Sequence, residues 1–230
     1  MFKTLTAGLP ALGLELSEAT AKKLCDFGAA VVKQNEVMNL TAITEPDQVA
    51  KLHLLDSLSV LKTADLRGKT LIDVGCGAGF PGVPVKIACP EVNLTLLDSL
   101  GKRMAWLGQI LPELGVDAQC VTARAEEFAA QRREQYDFAT SRAVARLNIL
   151  LELTAPFVKV GGAVLAMKGA AAREELEEAK SAIAKLGLKL ETVADFPVDG
   201  TSHSVIVLRK VKPTPAQYPR RYAKIKQAPL

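Results

Sequence analysis

The run 70–79 constrains this chain more than any other. Thr70-Leu71-Ile72-Asp73-Val74 has strand character, and it leads directly into Gly75-Cys76-Gly77-Ala78-Gly79. Glycine at every second position lets a backbone turn sharply after a strand and approach a ligand closely. More runs of strand character follow at 92–97, 118–122, 136–140 and 162–167. The segments between them, such as 102–114 and 147–158, are long enough for crossover helices. This alternation predicts an α/β fold on a mainly parallel sheet covered on both faces. Segment 173–186 is charged and reads as one helix, and 188–196 and 204–209 read as strands placed to form a hairpin at a sheet edge.

The flanks differ from this middle zone, 66–211. Zone 1–65 reads as helical, with Leu24, Phe27, Ala30 and Val31 on one face of 17–35 and Glu45-Pro46-Asp47 as a helix start. Val49, Leu52, Leu55, Leu58 and Leu61 form a buried stripe, and His53 within it reads as structural or loop-facing. Between these helices, 38–43 is a loop apolar enough to pack. Zone 212–230 is a basic tail without Asp or Glu, and its four prolines oppose both helix and sheet. An extended cationic chain bearing Tyr218 and Tyr222 suits a phosphate backbone with exposed bases.

Composition narrows the function. With 49% hydrophobic and 23% charged residues, a disordered chain is excluded. A net charge of +4 permits a polyanionic partner without requiring one. No apolar run reaches the ~20 residues needed to span a bilayer, and the start lacks the apolar core of a signal peptide. Cys25, Cys76, Cys89 and Cys120 have no paired spacing, so they read as reduced thiols of a cytoplasmic protein. Two distant histidines, His53 and His203, make no zinc site with them, and no metal is expected.

The chemistry centres on the glycine loop. Asp98 ends the next strand about twenty residues on, where a carboxylate accepts hydrogen bonds from ribose hydroxyls. Gly77, Gly79 and Gly82 spell a Gly-x-Gly-x-x-Gly, which would suggest NAD, but it starts late after the strand, and Pro81 and Pro84 crowd the helix that should follow. Asp-x-Gly-x-Gly-x-Gly with a later acidic residue is instead the pattern of methyltransferases that bind S-adenosylmethionine. That cofactor has no phosphate and carries a sulfonium cation, so it tolerates an acidic loop. After the third strand, Ala125-Glu126 falls where the adenine would lie, and Glu127 reads as the acidic first turn of a helix. Met104 and Trp106 read as core, and Lys102 and Arg103 as facing solvent or RNA.

After the fourth strand, Ser141-Arg142-Ala143 occupies the acceptor side. The Asn/Asp-Pro-Pro-aromatic run of amino-methylating enzymes and the Pro-Cys nucleophile of cytosine C5 enzymes are both missing there. Arg142 cannot serve as a base at neutral pH. An acceptor that is already nucleophilic, such as guanine N7, fits such a site. The roles open to Arg142 are orienting the methionine carboxylate, a phosphate or guanine O6, or bridging a nearby Asp. Lys168, at the end of the fifth strand, reads as a contact to RNA or as a solvated lysine.

Taken together, Asn39-Leu40-Thr41-Ala42-Ile43, His53-Leu54-Leu55-Asp56-Ser57-Leu58, the glycine loop with Phe80-Pro81-Gly82, Leu97-Asp98-Ser99, Ser141-Arg142-Ala143, Lys168-Gly169 and Tyr218-Pro219-Arg220-Arg221 resemble the small-subunit ribosomal RNA methyltransferase G family, also called glucose-inhibited division protein B. The resemblance implies a class I S-adenosylmethionine-dependent (Rossmann-like) methyltransferase fold with a mostly parallel seven-stranded sheet, and N-terminal helices that cap it. It implies methyl transfer to N7 of a guanine in the 530 loop of 16S ribosomal RNA. The family's cofactor positions fall on Gly75, Phe80, Ala125, Glu126 and Arg142, to which the spacing argument adds Gly77 and Asp98. Lys168, Arg220 and Arg221 are the expected RNA contacts. The expected partner is the small ribosomal subunit, with no DNA or membrane, for a monomeric protein. The competing readings are a dehydrogenase, a methyltransferase of the same fold with another acceptor, and a non-catalytic RNA-binding module. Arg142 and the basic tail count against the second, and the intact glycine loop with Asp98 counts against the third.

Overall fold

In the computed structural model, which describes residues 1–198 and 201–230, the strands are β1 (Thr70–Val74), β2 (Asn93–Asp98), β3 (Gln119–Thr122), β4 (Tyr136–Arg142), β5 (Val158–Lys168), β6 (Leu188–Val198) and β7 (Thr201–Lys210). They make one seven-stranded sheet in the order β3-β2-β1-β4-β5-β7-β6. The pairs from β3 across to β5 are parallel, and β7 runs antiparallel between β5 and β6. The chain steps outward from β1 to β3, then restarts beside β1 with β4. This reversal opens a crevice at the carboxyl ends of β1 and β4.

The helices are α1 (Phe2–Gly8), α2 (Glu18–Asn35), α3 (Pro46–Val49), α4 (Asp56–Leu58), α5 (Gly82–Ala88), α6 (Gly101–Glu113), α7 (Ala125–Gln131), α8 (Leu147–Thr154), α9 (Ala172–Glu178), α10 (Lys180–Lys185) and α11 (Tyr222–Gln227). A π-helical turn, Ala50–Leu55, joins α3 to α4. Successive residues of β1 point to opposite faces of the sheet, and Leu71 and Ile72 accordingly enter two separate apolar clusters. The cluster around Leu71 also contains Leu5, Leu24, Phe27, Leu54 and Leu58, so the N-terminal helices share one core with the sheet. The other contains Phe128, Leu150, Phe157 and Ile206.

The strands and the edge hairpin follow the sequence reading within a few residues, although residues 199 and 200 of the hairpin connection lie outside the described ones. Three readings are corrected. The helix expected over 173–186 is two helices that break at Ala179. Helix α5 does form after the glycine loop, because Pro84 falls in its first turn, where no N–H is needed.

The tail, finally, is neither extended nor free of helix. After Pro219 the chain turns into α11, and Ile225 is fully buried. The Arg133 guanidinium donates to the carbonyls of Thr214, Pro215 and Tyr218. The chain just before the tail is held too, since the fully buried Lys210 ammonium donates to Ala155 O at 2.7 Å and Val158 O at 3.1 Å.

Candidate active site

The glycine loop turns at the crevice. Gly75, Gly77 and Gly79 have φ of +72°, +57° and +97°, in the left-handed region that favours glycine. A Cβ on Gly75 would meet Val144 Cγ2 at 2.4 Å, whereas a Cβ on Gly77 would have nothing closer than Arg103 Nη1 at 3.9 Å. The loop therefore packs at its first glycine and offers bare backbone at its second. The N–H of Gly77 donates to Asp98 Oδ2 at 3.0 Å, and Asp98 Oδ1 accepts from Leu100 N at 2.9 Å. Asp98 thus fixes the loop, and each of its oxygens keeps a lone pair for a ligand.

Asp73 is fully buried beneath the loop. Its Oδ2 accepts from Gly82 N at 2.8 Å, at the start of α5, and its Oδ1 has no hydrogen-bond partner among the described residues. Burial pushes its carboxyl up to about 7, against the pull of the Gly82 N–H and the Arg142 charge.

Arg142, the last residue of β4, is held on several sides. Its Nη1 donates to Asp56 Oδ2 at 2.7 Å and to Leu52 O at 3.0 Å. Its guanidinium lies over the Phe80 ring, 5.1 Å from the centroid, and His53 stacks on the same ring at 4.7 Å. The other Asp56 oxygen meets His203 Nδ1 at 2.8 Å. Burial pushes Asp56 up, but His203 and Arg142 together hold it below the ordinary carboxylate value. Burial, then the Arg142 charge, lower His53 to about 4, while the hydrogen bond to Asp56 raises His203. His53 Nε2 also meets Thr41 Oγ1 at 2.7 Å, and Asn35 Oδ1 accepts from Leu40 N and Thr41 N at 2.7 and 2.9 Å. The loop before α3 is thereby fixed as one wall of the site.

The acceptor-side loop is fixed as well. Lys168 is largely buried and pairs with Glu175 at 2.8 Å, while donating to Ala145 O at 2.5 Å. Glu175 also accepts from Leu147 N at 2.7 Å, and Arg146 pairs with Glu174 and Glu178. Lys168 is therefore not the freely solvated lysine that the sequence allowed.

These elements enclose a cleft of roughly 910 Å³. Among the residues singled out from the sequence, Gly75, Gly77, Phe80, Arg142 and Lys168 line it. Asp98 touches it through Gly77, and Ala125 and Glu126 open α7, which has no capping side chain. Arg220 and Arg221 are not part of it. Arg220 grips the fully buried Glu152, with Nε to Oε1 at 2.8 Å and Nη2 to Oε2 at 2.5 Å, and Arg221 is exposed at the head of α11. Met104 and Trp106 are core, as expected, and the four cysteines are free thiols.

Sequence reasoning missed Asp56, Glu175 and His203 as site residues. Asp56 and His203 lie 147 positions apart, with no local pattern linking them.

The sequence and the architecture have parallels among known proteins. The protein-family model described as rRNA small subunit methyltransferase G matches residues 20–203. The ribosomal RNA small subunit methyltransferase G of Alkaliphilus metalliredigens is 44% identical over 220 residues, covering 93% of this chain and 92% of that one. The Clostridium perfringens protein of the same name is 38% identical over 235 residues, covering 100% and 98%. Among solved structures, M. jannaschii TYW2 in complex with AdoMet superposes with a TM-score of 0.56 at 13% identity, over 68% of this chain and 75% of that one. Thermus thermophilus TrmN gives 0.55 at 18% identity, over 68% and 48%. These structural likenesses establish a shared fold.

Proposed function

The chain belongs to the rRNA small subunit methyltransferase G family, and from that premise we propose that its cleft methylates N7 of a guanine in the 530 loop of 16S ribosomal RNA. It is an S-adenosylmethionine-dependent methyltransferase on a class I Rossmann-like fold. The observation that carries the cofactor reading is the Asp73 carboxylate, 2.8 Å from Gly82 N at the start of α5. A dinucleotide would place its pyrophosphate at that helix start. Here Gly82 N is taken by Asp73, Val83 N by Gly79 O, and Pro84 has no N–H, so the helix start has no donor left for a phosphate, and a cofactor without one fits the loop.

The residues fit S-adenosylmethionine. Asp98 has lone pairs left for ribose hydroxyls, and the first N–H groups of α7, at Ala125 and Glu126, are available to the adenine. The backbone of Gly75 and Gly77, with Phe80 and Arg142, would hold the methionine end. When bound, the cofactor supplies an electrophilic methyl group.

Guanine N7 already holds its attacking lone pair, so no residue need remove a proton. Arg142 is a positioning cation, and the cleft walls align the acceptor and exclude water. Lys168 sits on the acceptor side, and its pair with Glu175 fixes the loop there. Arg221 is an RNA-side residue of this reading, whereas Arg220 is committed to Glu152. The same reading has the protein act as a cytoplasmic monomer on the small subunit, with neither DNA nor membrane as partner.

The test is to incubate the protein with labelled S-adenosylmethionine and, separately, small and large ribosomal subunits from cells lacking this gene. Label in small-subunit RNA alone supports the reading. Label in large-subunit RNA or in protein overturns it.

A further inference from the structure

Four cations line the cleft: Arg103, Arg142, Arg146 and Lys168. The last three are each ion-paired with a carboxylate. Among the described residues, Arg103 pairs with none. Among the described residues its guanidinium makes one hydrogen bond, from Nη2 to Asn39 O at 3.3 Å. That bond ties the first turn of α6 to the loop before α3, whose Val37 is 81% exposed. Lys102, beside Arg103, is exposed and also has no carboxylate partner. The first turn of α6 thus holds two cations and no acid at the positive end of the helix dipole. This placement is unfavourable for the helix and favourable for an approaching anion.

We propose that the rim formed by Arg103, Lys102 and the Asn39 loop is the surface that grips the RNA strand entering the cleft, with the two cations on phosphates that flank the target base. The proposal rests on the ribosomal RNA reading above and adds the face that the RNA uses. A polyanion fits this rim, because neither Arg103, on the cleft wall, nor the exposed Lys102 beside it is ion-paired with a carboxylate among the described residues. Arg103 suits it because a guanidinium engages a phosphate with paired hydrogen bonds. The rim is also rigid. Asn35 fixes the loop through Leu40 N and Thr41 N, so little ordering is needed when RNA binds. The tail cannot be the main grip through Arg220, whose guanidinium is taken by Glu152.

The experiment measures binding of small-subunit RNA across a salt series, with S-adenosylmethionine affinity measured by calorimetry on the same preparations. For the double variant Lys102→Ala/Arg103→Ala, the salt slope should fall by about two, roughly one per lost phosphate contact, and cofactor affinity should stay unchanged. Arg103→Lys, which keeps the charge, should retain most of the slope. An unchanged slope in the double variant overturns the proposal, as does a weakened cofactor affinity, which would place Arg103 on the cofactor. If the wild-type protein itself neither binds nor methylates small-subunit RNA, the functional reading fails instead.

Discussion

Asp56 and Arg142 are 86 residues apart in the chain and meet at 2.7 Å. One belongs to the N-terminal helices and the other ends β4, so the extension supplies a wall of the catalytic cleft as well as sharing the core. Through its second oxygen Asp56 also holds His203 on β7. Three distant parts of the chain therefore converge on one buried carboxylate.

Removing that carboxylate should be severe. Asp56→Ala leaves the Arg142 charge and His203 without their common partner in a largely buried place. Breaking a buried pair from one side costs about 3–5 kcal/mol. Urea unfolding should show a loss of this order, together with loss of methyl transfer. Unfolding free energy within about 0.5 kcal/mol of wild type would mean that the pair is not structural.

The chain has two histidines, so proton NMR can follow each imidazole. His53 should titrate near pH 4, below its ordinary value of 6.5, and His203 should titrate above 6.5. The signs oppose each other. His53 contributes stability above about pH 6.5, and this is lost as pH falls towards 4. His203 contributes stability below 6.5, and this is lost as pH rises through its folded value. In Asp56→Asn the His203 titration should move down. Two imidazoles that both titrate near 6.5 in the wild-type protein would contradict the geometry of the cleft.

Arg220 and Arg221 should separate cleanly. Arg220→Ala strands the fully buried Glu152 and should cost about 3 kcal/mol, with little change in the salt dependence of RNA binding. Arg221→Ala, at an exposed position, should change stability by less than about 0.5 kcal/mol. Equal effects of the two on stability would show that Glu152 does not anchor the tail.

Gly75→Ala places a Cβ 2.4 Å from Val144 Cγ2 at a φ of +72°. Strain of this kind costs about 1–3 kcal/mol, and where it distorts the loop it should weaken cofactor binding by roughly tenfold or more in calorimetry. Gly13→Ala has a comparable φ of +65° but open space around it, and it should leave cofactor affinity intact. Equal affinities for both variants would detach the glycine loop from the cofactor.

The sheet was legible in the sequence because its strands are short apolar runs separated by amphipathic ones, and because glycine at alternate positions after a strand has few other uses. Asp98 was legible by its spacing from that loop. The tail was misread because proline density describes only 213–219, and nothing local announces that Arg220 meets Glu152 or that Ile225 is buried. Asp56 and His203 belong together only after the chain is folded, since they sit on a helix and an antiparallel strand at opposite ends of the sequence. Lys168 was read as an RNA contact or a solvated lysine, and its pair was missed because Glu175 lies in a highly charged helix, where pairing cannot be read from composition.

The most direct test of the central claim is the identity and position of the modified nucleoside. Small subunits from cells lacking this gene would be treated with the protein and S-adenosylmethionine, and the RNA digested and mapped by mass. The cleft described here predicts 7-methylguanosine at one guanine of the 530 loop, abolished in Asp56→Ala. A methyl group on another atom, another base or another region of the RNA would contradict it.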